Sequence, residues 1–366
     1  MANDGFRTIW LKPGDPSIVQ IIDQRRLPHE YSVHDLQTWR DGVVAIQDMY
    51  VRGAPLIGAT AAWSLYLAAL HGDEPAIDHV QQAAGELLRS RPTAVNLRWA
   101  IERILGRLDL ASDHADLADV IRTEAEAICI EDIEICLGIG RHGLKLLEEI
   151  SHSKSSGPVN VLTHCNAGAL ATINWGTATA PVYLAHQAGM DVHVWVDETR
   201  PRNQGSQLTA WELAENGVPH TLIVDNAGGH LMQHGEVDIV ITGTDRTTCC
   251  GDVANKIGTY LKALAASDND IPFYVALPST TIDWGIRDGI SEIPIEERDP
   301  EEVTHIAGVT NKTPGVVRTT SPATPVSNFA FDVTPARLVT GLITERGVCA
   351  ASEEGLAGLF PEKATS

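Results

Sequence analysis

The sequence predicts an α/β protein in two parts. A mainly helical N-terminal domain with a small β-sheet spans residues 1–150, and a domain built on a parallel sheet flanked by helices spans 151–366. Three observations predict this. At 366 residues the chain is longer than one ordinary core, and chains beyond about 250–300 residues divide into domains. Up to about residue 150 the apolar residues recur mostly at helical spacing. From Val159 onward, short β-branched runs alternate with helical stretches, the signature of βαβ units.

Taken in order, Thr8–Leu11 and Ile18–Ile22 flank the turn Pro13-Gly14-Asp15 and predict a hairpin. Helical spacing follows over about 33–50, 55–71, 76–90, 96–110 and 113–150, with a candidate kink at Gly138 to Gly143. Pro55 suits a first helical turn, where its missing N–H is no loss. Ser151 to Pro158, SHSKSSGP, is polar, small and punctuated by Gly and Pro, as a linker is. Strands are expected at Val159–Leu162, Val192–Val196, Thr221–Val224, Val237–Ile241 and Phe273–Leu277, with helices over about 166–188, 206–216 and 255–266. Residues 298–325 read as irregular chain with a short strand. Phe331 to Glu345 reads as strand, turn and helix, with Pro335 near the helix start.

Hydrophobic content of 43% and charged content of 20% are those of a soluble globular protein. The formal net charge of −21 excludes nucleic acid as a partner, because that binding rewards basic faces. It also means that an anionic substrate must be drawn in by local arginines and helix N-termini against the global field. The opening residues MANDGFRTIW contain no apolar signal core, and Ala54 to Leu70 is short and broken by Pro, Gly and Ser. A cytoplasmic protein without membrane contact is expected. The six cysteines form no C-x-x-C pair and no zinc pattern, so free thiols, no metal and no cofactor are expected.

The stretch VDIVITGTDRTTCCGDVANKIGTY from Val237 carries most chemistry. An apolar strand delivers Asp245 just past its end. Asn255-Lys256 then stands at an expected helix start. Strand ends facing helix starts bind ligands in open α/β sheets, and a carboxylate there suits acid/base work on a phosphorylated small molecule. Thr163-His164-Cys165-Asn166 follows another strand. If a helix opens there, its positive end favours thiolate, making Cys165 a base or nucleophile; the other reading is a packed small hydrophobe. His164 reads as structural. In Asp197 to Gly205, Gln204 and Arg200 are candidates for hydroxyl or carboxylate contacts. Arg52, beside Gly53, and Arg91, at a helix entrance, form a candidate phosphate clamp. Gly138-Ile139-Gly140-Arg141-His142-Gly143 matches G-x-G-x-x-G but lies inside a helical run, which excludes a nucleotide fingerprint. The vicinal Cys249-Cys250 reads as loop near the site.

Seven stretches together resemble the methylthioribose-1-phosphate isomerases, a family that shares its fold with the regulatory subunits of the eukaryotic translation-initiation exchange factor. They are RGAPLIGATAAW from Arg52, RPTAVNL from Arg91, NVLTHCNAGALAT from Asn160, VDETRPRNQGSQLTAWEL from Val196, GTDR…GDVANKIGTY from Gly243, PFYVALPSTTID from Pro272 and FDVTPARLVTGLITERG from Phe331. The resemblance covers nearly the whole chain. It implies a Rossmann-like C-terminal domain, a homodimer, and conversion of 5-methylthioribose 1-phosphate to its ketose in methionine salvage. It implies catalytic roles for Cys165 and Asp245. Substrate contacts would fall on Arg52, Gly53, Ala54, Arg91, Gln204, Asn255 and Lys256. The chain departs from the family at Thr244 and at Thr247-Thr248-Cys249-Cys250, where a difference at the sugar's 5-position is expected. The alternatives are a 5-deoxyribose 1-phosphate or related pentose 1-phosphate isomerase, and a non-catalytic regulatory subunit.

Overall fold

The computed structural model describes residues 5–72, 76–91, 95–110, 114–311 and 313–363. Pro92-Thr93-Ala94, part of one of the matching stretches, lies outside the described residues. The chain opens with an antiparallel sheet of β1 (Ile9–Lys12), β2 (Asp15–Ile22) and β3 (Val33–Leu36). The helix expected from residue 33 therefore begins later, as α1 (Trp39–Gln47). Thr38 and Asp41 form a capping box there, and that cap sets the start.

Helices α2 (Ala54–His71), α3 (Ala76–Ser90), α4 (Val95–Leu105) and α5 (His114–Ser153) follow. α2 carries no Asp, Glu, Lys or Arg and packs against α1, α3, α4 and α5. It is the one described helix long and apolar enough to cross a membrane, and 83% of it is buried inside the protein, as a core helix is. α5 runs unbroken through Gly138–Gly143 to Ser153, so the expected linker begins inside its last turn. Its first half joins the N-terminal core through Ile121, Ala125 and Ile128, and its second half lies under the large sheet through Cys136, Ile139 and Leu147.

The second part is a sheet of seven strands in the order β16-β15-β10-β7-β4-β5-β6. These are β4 (Val159–Thr163), β5 (Val192–Asp197), β6 (His220–Ile223), β7 (Ile239–Thr242), β10 (Phe273–Ala276), β15 (Gly341–Thr344) and β16 (Gly347–Cys349). All pair in parallel except β16. Between them lie α6 (Ala180–Gln187), α7 (Ala210–Glu215), α8 (Ala227–Gln233) and α9 (Thr259–Asp268), and α12 (Glu353–Leu359) follows β16. Side chains alternate across the sheet: Val161, Ile239, Ile241 and Ile343 enter the core with α5 and α6, and Leu162, Val240, Val275 and Leu342 enter the opposite core.

A second sheet has the order β11-β8-β9-β14, from β8 (Arg246–Thr248), β9 (Val253–Lys256), β11 (Ile282–Asp283) and β14 (Phe331–Thr334). The short helices α10 (Gly289–Glu292) and α11 (Glu301–Thr304) lead to an exposed hairpin, β12 (His305–Thr310) and β13 (Thr313–Arg318). That hairpin replaces the irregular chain expected over 298–325. Phe331 to Glu345 forms strand, turn and strand, since Thr340 returns the chain to the large sheet beside Phe273. The helix expected over 166–188 shrinks to α6. Residues 166–179 instead fold around buried side chains, with turns at Ala169–Ala171 and a positive φ at Trp175.

The G-x-G-x-x-G run is a packing device. A Cβ at Gly140 would lie 2.9 Å from Leu184 Cδ1 and 3.1 Å from Ala180 Cβ, and one at Gly143 would lie 2.9 Å from Pro181 Cβ. The glycines let α6 press against α5. Gly143→Ala should therefore destabilise the protein by about 1–3 kcal/mol in urea unfolding, although alanine is the better helix former. On the same helix, burial pushes the Asp132 carboxyl up to about 7 while its Oδ2 accepts from Ile173 N at 2.8 Å. The folded chain binds this proton more tightly than the unfolded one, so stability is lost as pH rises from the ordinary 3.8 to about 7. Asp132→Asn should raise the melting temperature more at pH 8 than at pH 5.

Candidate active site

The connections β4→β5→β6 run toward one edge of the large sheet, and β7→β10→β15 run toward the other. The order reverses between β4 and β7, which pair directly through Val161↔Ile239 and Leu162↔Val240. Open α/β sheets bind ligands outside the strand ends at such a switch point. Cys165 follows β4 and Asp245 follows β7, so sheet topology sets these two side chains at one place.

Cys165 sits in a turn, not at a helix start. Its φ is 67°, its N–H donates to Thr199 Oγ1 at 2.9 Å, and its carbonyl accepts from Thr209 Oγ1 at 2.7 Å. The next helical turn begins only at Ala169, so the helix start expected at the thiol is not there. A left-handed non-glycine residue costs about 1–3 kcal/mol and persists where its surroundings over-determine it. The neighbouring His164 is buried, with Nδ1 2.7 Å from Asp197 Oδ2 and Nε2 2.8 Å from the Ile257 carbonyl. It ties the Cys165 turn to the chain just after Lys256.

Asn255 and Lys256 also stand differently from expectation. They end strand β9, which returns antiparallel beside β8. The helix α9 starts at Thr259, after Gly258 at φ 101°. Its first N–H groups are taken: Asp332 accepts from Gly258 N at 2.7 Å and Tyr260 N at 3.1 Å. An anion is already built into that helix start, so it offers no phosphate cradle. The departure Thr247-Thr248-Cys249-Cys250 forms β8 and its turn. Cys249 Sγ lies 3.2 Å from the Ile286 carbonyl and 3.9 Å from Cys250 Sγ, and both are free thiols.

One small cavity, ≈ 40 Å³, is lined by Arg52, Gly53, Ala54, Cys165, Asp245 and Asn255 among others. Gly53 is required there: at φ 91° any Cβ would collide with the Ala171 backbone. Arg91 lines an adjoining cavity that shares Ala54 and Asp245. Gln204 lies in a larger outer cavity of ≈ 620 Å³ that shares Arg52. Its Oε1 is buried without a hydrogen-bond partner among the described residues. Lys256 is buried and lines none of these cavities; its Nζ lies 4.6 Å from the centre of the Phe331 ring. Arg200 is engaged elsewhere, donating to the carbonyls of Pro201 at 2.6 Å and Val303 at 2.8 Å. Residues 247–250 line none of these cavities.

Sequence reasoning passed over Asn166, Thr199, Glu212 and Asp332, which hold the turns in place. All four stood inside the matching stretches, but none of these types at those positions signals chemistry by itself.

Residues 50–351 match the Initiation factor 2 subunit family. A methylthioribose-1-phosphate isomerase from Methylorubrum populi is 60% identical over 359 residues, covering 98% of this chain and 97% of the relative. One from Desulfatibacillum aliphaticivorans is 56% identical over 360 residues, with 98% of each chain covered. The solved 5-methylthioribose 1-phosphate isomerase from Pyrococcus horikoshii OT3 matches with a TM-score of 0.84 at 38% identity, over 99% of this chain and 97% of that one. The translation initiation factor eIF-2B, subunit delta, from A. fulgidus matches with a TM-score of 0.81 at 37% identity, over 98% and 100%.

The charges around the inner cavity are mostly positive. Burial lowers Lys256 and Arg91 below their ordinary values, and each faces Asp245 and the other cations. Arg91 Nη1 has no hydrogen-bond partner among the described residues. A buried cation that makes no close ion pair costs stability, and a bound anion offsets that cost. Lys256→Met should therefore stabilise the ligand-free protein by about 1 kcal/mol in thermal or urea unfolding, while removing its stabilisation by added sugar phosphate.

Proposed function

This chain belongs to the Initiation factor 2 subunit family, and on that footing we propose that it is an aldose–ketose isomerase. It converts 5-methylthioribose 1-phosphate to 5-methylthioribulose 1-phosphate in methionine salvage. The observation that carries the reading is full-length identity of 56–60% to relatives of that name. The meeting of Cys165 and Asp245 at the switch point supports it. A cytoplasmic homodimer and a division into 1–150 and 151–366 belong to the same proposal.

The substrate sets the chemical problem. Its anomeric oxygen is phosphorylated, so the ring cannot open as a free hemiacetal does. The ring oxygen must gain a proton while the C1 phosphate stays attached. Asp245 gives that proton as the bond from C1 to the ring oxygen breaks. Cys165 takes the C2 proton, and the C2–H electrons form the C1=C2 bond of an enol phosphate. Return of the proton to C1, with loss of the C2 hydroxyl proton to Asp245, yields the ketose. In the competing route the hydrogen passes from C2 to C1 as hydride, and Asp245 handles only the oxygen protons. Arg52, Arg91 and Lys256, with the backbone at Gly53-Ala54, hold the phosphate; Asn255 and Gln204 contact the sugar.

A second reading, a non-catalytic subunit of the exchange-factor type, draws on the similarity to the A. fulgidus protein. Incubation of the purified protein with 5-methylthioribose 1-phosphate, followed by NMR, decides between them: ketose is expected, and its absence sinks the isomerase reading. Cys165→Ser and Asp245→Asn should each lower kcat by about a hundredfold or more with unchanged circular dichroism. Near-wild-type turnover in either variant removes the role assigned to that residue. In D2O, the enol route places solvent deuterium at C1 of the product, and a hydride shift leaves C1 unlabelled.

A further inference from the structure

Asn166 follows Cys165, and both ends of its side-chain amide are in use. Its Oδ1 accepts from Arg52 Nη1 at 3.0 Å. Its Nδ2 donates to Glu212 Oε1 at 2.9 Å and Thr209 Oγ1 at 3.2 Å. Arg52 Nη2 then lies 3.6 Å from Cys165 Sγ and 3.4 Å from the Asn166 carbonyl. An asparagine amide has one acceptor end and one donor end. With Glu212 holding the donor end, the acceptor end faces Arg52.

Glu212, on α7, is 0% exposed. Besides Asn166, its carboxylate accepts from Ala169 N at 2.8 Å, Leu170 N at 2.9 Å and Tyr183 Oη at 3.0 Å. Burial pushes its carboxyl up, and these donors pull against that shift. Gly168 is required beside it, because a Cβ there would lie 2.7 Å from Glu212 Cδ. A buried carboxylate is costly unless every lone pair is used. Here the donors converge from the Cys165 turn, from the turn after it and from α6. The position of this one acceptor thereby determines where Arg52 can point.

We infer that Glu212 is a positioning residue for the reaction: through Asn166 it holds the Arg52 guanidinium beside the Cys165 sulfur, where the inner and outer cavities meet. This rests on the isomerase reading above. A free arginine side chain loses rotamer entropy when it is fixed, and a prior hold on it leaves less to lose when the substrate is bound.

A double-mutant cycle on the full-length protein tests this, using Glu212→Gln, Arg52→Ala and the double variant. Glu212→Gln should lower kcat/KM by about 10- to 100-fold in the presence of Arg52, and by less than about twofold in the Arg52→Ala background. Equal losses in both backgrounds overturn the inference, because a purely structural role acts whether or not Arg52 is present. The same cycle is read without substrate as the rate of Cys165 alkylation by iodoacetamide, resolved by peptide mass spectrometry. Glu212→Gln should change that rate with Arg52 present and leave it unchanged in the Arg52→Ala background. An additive alkylation cycle overturns the inference alone; a wild-type protein that gives the coupled alkylation cycle but no ketose overturns the isomerase reading alone. If Glu212→Gln does not fold, Asn166→Ala takes its place. It removes the relay and leaves Glu212 its three other donors, with the same outcomes expected.

Discussion

The pairing of β4 with β7 is the constraint on which the rest depends. Their parallel register aligns two strand ends whose onward connections leave in opposite directions. Beyond the last ladder bond, backbone polar groups need other partners, because buried N–H and C=O groups are costly to leave unpaired. Side chains from later segments supply them. Thr199 and Thr209 take the backbone of Cys165, Glu212 takes Ala169 and Leu170, and Asp225 takes Thr199 and Arg200. The turn that carries Cys165 is thus shaped by residues far downstream in the chain, as distant as Ile257.

The helical part contributes through a close approach at Gly53. α2 is buried on all sides, and its N-terminus places Gly53 against Ala171. Arg52 and Ala54 then line the cavity at the strand ends. A side chain at position 53 would push the two parts away from each other. The result is that Arg52 and Arg91 line adjoining cavities and interact electrostatically with the buried Lys256, in a protein whose net charge is −21. Such a site is costly in the free protein and rewards an anion when one arrives.

Much of this was legible in the residues. The alternation of strands and helices after Val159 located the large sheet, because period-two burial leaves its mark on sequence. Cys165 and Asp245 stood out as side chains just past strand ends. The local settings were less legible. Asn255-Lys256 looked like a helix start, yet the chain there belongs to a strand. The choice was made by antiparallel pairing with β8 and β14, which are separate in sequence. Residues 166–179 carry helical spacing, but their backbone is held open by Glu212 and Asp132, each a distant acceptor.

The sequence by itself determined the class of fold, the order of its elements, the small residues at Gly53, Gly140 and Gly143, and the chemical types around the site. Those follow from local propensity and from periodicity. Only the tertiary structure decided which way each element turns at the site: that Asp332 fills the start of α9, that Cys165 sits in a strained turn, and that Glu212 reaches Arg52 through Asn166. These are contacts between residues far apart in the chain. Their geometry depends on where a whole sheet places its strand ends, which no local pattern records.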